Sequence, residues 1–174
     1  MMQLFVAILV SSVGFAQEVK QEAEHHHREH GAHVHGSASL AIAFEGSHGK
    51  IELHSPGDSI IGFEHEAKTA QDKKTQETAL KTLESKMAEM VAFDPALKCA
   101  WSKEKVEVKL EKSGHGDVNG AWAISCEKSP VGGKITFNVQ KYFPKLKDVD
   151  VQIIADSFQT GVEANKVGTE VNLK

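Results

Sequence analysis

Histidine is the residue whose use in this chain asks for an explanation. Six of the ten histidines fall between positions 25 and 35, in His25-His26-His27-Arg28-Glu29-His30-Gly31-Ala32-His33-Val34-His35. Neutral imidazole is a borderline ligand that suits zinc, copper and nickel, and several on one short segment can wrap an ion without a preformed cage. His33 and His35 stand apart from the others because they enter a strand pattern. Residues two apart on an extended chain point to the same face, about 6.5–7 Å from one another, so both rings could reach one ion.

The remaining histidines are scattered, as expected when a fold gathers ligands. His65 follows Glu64 in Gly62-Phe63-Glu64-His65, and His115 lies two residues before Asp117 in Gly114-His115-Gly116-Asp117. Glu64 and Asp117 are carboxylates able to ligate a metal or to hold an imidazole tautomer. His48 and His54, each taken alone, read more simply as hydrogen-bonded surface residues. Structural zinc takes four protein ligands and catalytic zinc three plus water. Three or four of His33, His35, His65 and His115 would therefore suffice, with Glu64 and Asp117 beside them and His25, His26, His27 and His30 as a looser collecting group.

The first ten residues are an apolar run followed by small residues, with Gly14 and Ala16 at the −3 and −1 positions of a cleavage site before Gln17. This pattern reads as a signal peptide over 1–16, with only the terminal amine supplying its positive charge. The run is far shorter than the ~20 residues of a membrane-spanning helix, so no membrane insertion is expected after cleavage. Residues 17–32 are polar and lack hydrophobic periodicity, which predicts a flexible histidine-rich arm. Residues 33–174 are one domain's worth of chain. A net charge of −4 and a pI near 6.2 leave no basic stripe for nucleic acid.

Within that domain, Ala38, Leu40, Ile42 and Phe44 alternate, and Ile51 and Leu53 continue the two-residue period after a turn over 45–49, predicting a β-hairpin. From Thr69 to about Val91 the period changes: Leu80, Leu83, Met87 and Met90 recur at helical spacing, with Thr69 and Asp72 placed as a capping box and Pro95 beyond the far end. Alternation then returns in Val106-Val108-Leu110, Val118-Trp122-Ile124, Ile135-Phe137 and Val149-Val151-Ile153, and the first of these predicts one dry and one wet face. The expectation is an α+β fold: an antiparallel β-rich sheet or half-barrel with one main amphipathic helix. In an oxidising compartment the two cysteines, Cys99 and Cys126, are more often a disulfide than free thiols. They fall near the open end of a hairpin turning through 112–116, offset by about two residues, which a bulge could absorb.

At these residues the chain resembles the ZrgA-type zinc-binding periplasmic proteins associated with bacterial zinc uptake. The resemblance rests on His33-Val34-His35-Gly36 leading into Ala38-Ser39-Leu40-Ala41-Ile42-Ala43, on Ile51-Glu52-Leu53-His54-Ser55-Pro56, and on Ile61-Gly62-Phe63-Glu64-His65. It continues through Phe93-Asp94-Pro95-Ala96-Leu97-Lys98, Cys99, His115-Gly116-Asp117, Cys126, Phe143-Pro144 and Val149-Asp150-Val151-Gln152. It implies a periplasmic Zn2+-binding protein acting beside an uptake transporter, and it favours His33, His35, His65 and His115 as ligands. The chain departs from the pattern at Pro56-Gly57-Asp58-Ser59, where other members usually carry Pro-Ala-x-Asn; this reads as turn variation.

Copper or nickel handling is the alternative within the same chemistry, since copper binds any imidazole site more tightly than zinc, although the few methionines argue against cuprous copper. A hydrolase using a metal-activated water, with Glu64 or Asp117 as base, is a different class. It lacks a His-Glu-x-x-His helix, a nucleophile elbow or a phosphate-cradling loop. A structural envelope module is the remaining reading. No enzyme activity is expected.

Overall fold

The computed structural model describes residues 35–174, so the leader expected at 1–16, the arm at 17–32 and His25, His26, His27, His30 and His33 lie outside the described residues. Alternation over the first described segment forms β1 (Ser37–Glu45), which turns through Gly46 and Ser47 into β2 (His48–Pro56). The register sets Leu40 opposite Leu53 and Ile42 opposite Ile51, all of them buried. A four-residue helix, α1 (Gly57–Ile60), and a loop lead to α2 (Ala70–Met90).

The capping box is formed: the Thr69 hydroxyl accepts the Asp72 N–H at 3.0 Å, and the Asp72 carboxylate accepts the Thr69 N–H at 3.1 Å. Both bonds satisfy donors that a helix start would otherwise leave open. The Thr69 hydrogen bonds, chiefly, hold the Asp72 carboxyl below its ordinary value. Leu83, Met87 and Met90, at helical spacing, are the buried residues of α2, so its C-terminal half carries the packing.

The helix runs into β3 (Val91–Phe93). A 3-10 turn at Pro95–Leu97 follows, then β4 (Ala100–Leu110), β5 (Gly116–Ser125) and β6 (Lys134–Phe137). A second 3-10 turn at Val139–Lys141 precedes β7 (Asp148–Ala155), β8 (Phe158–Glu163) and β9 (Thr169–Asn172). The main sheet has the order β4-β5-β2-β1-β7-β8, and β3-β6-β9 form a second sheet; neither closes on itself. The α+β class is as expected, with strands predominating and one main helix. One pairing departs from the antiparallel expectation: β1 and β7 run parallel, with Leu40 beside Val151 and Ile42 beside Ile153. Parallel pairing needs a long connection, and the chain from β2 to β6 supplies it.

A second departure concerns β4. Val106 and Val108 are only partly buried and Leu110 is 46 % exposed, because β4 is an edge strand with a neighbour on one side only. Its charges, including the Lys105–Glu107 ion pair at 2.6 Å, blunt that edge. A register shift between Lys103 and Lys105 sets Ala100 opposite Ser125, so Cys99 and Cys126 face each other one step beyond the ladder and form a disulfide. Among the described residues no helix is long and apolar enough to cross a membrane.

Replacing both cysteines by alanine frees a loop with a sequence separation of 27, and a chain-entropy estimate gives a loss of about 3.5 kcal/mol in urea unfolding. For the cap, Asp72 has a folded value below its unfolded one, so its contribution is fully present above the unfolded value and vanishes as pH falls through the folded one. The stability gap between wild type and Asp72→Asn should therefore be open at pH 7 and close in acid, as followed by circular dichroism.

Candidate metal centre

Three separated segments converge at one end of the main sheet. The first is His35-Gly36, at the entry to β1. The Gly36 carbonyl accepts the N–H groups of Lys147 (2.8 Å) and Asp148 (3.1 Å), and its own N–H donates to the Ser59 hydroxyl at 3.0 Å. This arrangement needs Gly36 at φ +85°, a left-handed conformation that glycine adopts without strain. The second segment, Gly62-Phe63-Glu64, leaves α1. The third is the turn between β4 and β5, which presents His115.

Glu64 joins them. Its side chain is only 10 % exposed, with His35 Nε2 3.1 Å from Oε1 and His115 Nδ1 2.5 Å from Oε2. Taking a carboxylate this far from water is costly unless donors or a cation compensate. His115 donates to Oε2, but Oε1 receives no hydrogen bond among the described residues, although His35 Nε2 lies beside it. A nitrogen and an oxygen this close without hydrogen-bond geometry suit two ligands of one cation. Two donors ~2.0–2.1 Å from a tetrahedral zinc lie about 3.3 Å apart. Both imidazoles have side chains more than half exposed, at 62 % for His35 and 54 % for His115.

Glycine contacts allow the close approach. A Cβ on Gly57 would lie 2.6 Å from the Gly116 carbonyl oxygen and 2.8 Å from that of Phe63, and one on Gly116 would lie 2.9 Å from the Glu64 carbonyl oxygen. Backbone packed this tightly brings the Glu64 loop against the start of β5. Gly57, the first residue of α1, is thus a packing point.

His65 stacks on the Phe63 ring (centroids 4.5 Å apart, 13° between planes), and its Nδ1 lies 3.0 Å from the Glu66 carbonyl oxygen. No described contact joins it to His35, Glu64 or His115. Asp117 is buried at 5 % exposure at the start of β5, opposite Pro56 and Lys109. His54 pairs with Asn119 at 3.0 Å on the outer face of the sheet, and His48 is exposed at the start of β2.

A further cluster had no part in the sequence expectations. Asp148, Asp150 and Glu163 bring one carboxylate oxygen each within 4.8 Å of one another. The signal was present in Asp148-Val149-Asp150, two acids of equal parity on β7, with Glu163 opposite Asp150 on β8. Attention to the apolar parity of β7 hides its other face.

Imidazole and carboxylate side chains gathered on an open β-sheet are the donor types that a borderline divalent cation prefers. The family model described as "ZrgA family zinc uptake protein" matches residues 32–173, and the chain belongs to that family. No curated protein matches the sequence.

The tight backbone contact is open to test. Gly116→Ala puts a Cβ against the Glu64 carbonyl, and the overpacking should lower unfolding stability by about 1–3 kcal/mol. Thermal denaturation of the purified variant checks this.

Proposed function

We propose that this chain is exported to the periplasm, where it captures Zn2+ and buffers it or delivers it to an uptake transporter. His35, Glu64 and His115 form the core of the centre. The observation that carries the reading is the Glu64 carboxylate, nearly removed from water and flanked by two exposed imidazoles. His33, two residues before His35, adds a fourth ligand in this proposal, while His65 and Asp117, close in sequence to Glu64 and His115, are reserve ligands. His25, His26, His27 and His30 raise the number of imidazoles available for loose collection. Membership of a zinc uptake family supports zinc as the cargo, and the disulfide suits an oxidising compartment. Residues 1–16 act as the leader, 17–32 as the arm and 33–174 as the metal-binding domain. In this reading the protein binds and hands over an ion and catalyses no reaction.

Calorimetric titration of ZnCl2 into the purified chain at pH 7.5 tests the proposal. Saturable binding is expected, weakened at least tenfold by Glu64→Gln or His115→Ala, and weakened for wild type on acidification because protonated imidazole has no lone pair to offer. Absence of binding at pH 7.5 ends the reading, and a preference for nickel over zinc under limiting metal replaces the cargo. Metal content of protein isolated with and without residues 17–32 reports what the arm contributes.

A further inference from the structure

The ligand-bearing segments are held by a second set of contacts whose side chains offer the ion nothing themselves. Ser59 and Asp58 are neighbours on α1, and each reaches a different part of the centre. The Ser59 hydroxyl, on a residue 2 % exposed, accepts the N–H of Gly36, the residue after His35. Asp58 accepts from Lys145 Nζ at 2.9 Å, and the same ammonium makes a long contact, 3.5 Å, with the carbonyl of Gly62, two residues before Glu64. The strap carrying Lys145 also closes on the His35 side: its Lys147 N–H donates to Gly36, and a Cβ on Gly36 would lie 3.3 Å from the Lys145 carbonyl oxygen. One short helix and one strap thereby tie the neighbours of His35 to the neighbours of Glu64.

We propose that Ser59 and Lys145 are positioning residues for the metal centre, fixing the spacing between His35 and Glu64 without touching the ion. The inference rests on the centre being the one described under the proposed function. Energetics separate this role from general stabilisation. The Lys145–Asp58 pair is exposed, 55 % and 30 %, and such pairs add little to global stability. What it can do is restrict the conformations of a loop. Preorganising ligands in this way strengthens binding, because less freedom remains to be lost when the ion arrives. Residues that orient metal ligands typically change affinity 10–100-fold when removed.

The test is a zinc titration of the full chain in five forms besides wild type: Glu64→Gln, Ser59→Ala, Lys145→Ala, Lys145→Arg and Leu173→Ala. Leu173 is fully buried beside the second sheet and serves as a destabilised control. Lys145→Ala should bind zinc about tenfold more weakly with an unchanged urea midpoint, and Lys145→Arg should recover most of the loss. Ser59→Ala should bind more weakly than Leu173→Ala even where Leu173→Ala has the lower midpoint. If Ser59→Ala does not fold, the two Lys145 variants decide. Wild-type affinity in Lys145→Ala and Ser59→Ala, with loss in Glu64→Gln, overturns the positioning role and leaves the centre standing. Loss of affinity that follows the urea midpoint across all variants, Leu173→Ala included, assigns these residues to stability alone. If wild type fails to bind, or Glu64→Gln binds as tightly as wild type, the centre itself falls and this proposal with it.

Discussion

A carboxylate withdrawn from water must be compensated, and that requirement at Glu64 organises the end of the sheet where the two imidazoles meet it. Its two oxygens are approached by imidazoles from segments far apart in sequence, His35 at the entry to β1 and His115 in the turn before β5. Bringing three chain segments to one side chain requires backbone to run against backbone. The absent side chains of Gly57 and Gly116 are what make those distances possible.

The sheet supplies the fixed frame. β1 is central, paired with β2 on one side and β7 on the other, and its core-facing residues Leu40, Ile42 and Phe44 are buried. Because β7 runs parallel to β1, the residues just before it, Lys145 to Lys147, lie beside Gly36 and not at the opposite end. An antiparallel partner would have carried that strap away from the ligands. The parallel pairing, which the sequence pattern did not reveal, is therefore what puts Lys145 within reach of α1.

Local signals made much of the fold legible. The β1–β2 hairpin, the capped helix and the cysteine pair beyond a bulged hairpin all come from alternation, period and turn chemistry over short stretches, where neighbours in sequence are neighbours in space. The centre was legible only in part. Glu64 and His115 stood out as chemically suited residues, yet sequence adjacency suggested the partners Glu64 with His65 and His115 with Asp117. The segment between α1 and α2 is a loop, in which adjacency does not set side-chain direction, and Glu64 turns inward while His65 lies on Phe63. The observed partner of His115 is 51 residues away, a distance over which spacing carries no information. Asp148, Asp150 and Glu163 were missed for a related reason, since the apolar parity of β7 defines a strand and leaves its outer face unread. Ser59 and Lys145 belong to no motif, and only contact geometry singles them out.

The position of the sulfurs decides which ions the proposed centre can prefer. Thiolate and thioether ligands draw a site toward soft ions such as cuprous copper. Here Cys99 and Cys126 are consumed in the disulfide, and Met87 and Met90 are sealed in the core at 1 % and 0 % exposure. The remaining methionines of the chain are Met1 and Met2, within the segment read as a cleaved leader. What the described surface offers is imidazole and carboxylate. The Asp148–Asp150–Glu163 cluster contains oxygen alone, the donor type of hard cations. The His35–Glu64–His115 set mixes nitrogen with oxygen, which moves the preference to borderline divalent ions. Zinc has no geometric demand from its d-electrons and accepts such a mixed set without distortion. The same folding events that bury Met87 and Met90 and join the cysteines therefore leave the proposed centre, among the described residues, to imidazole and carboxylate.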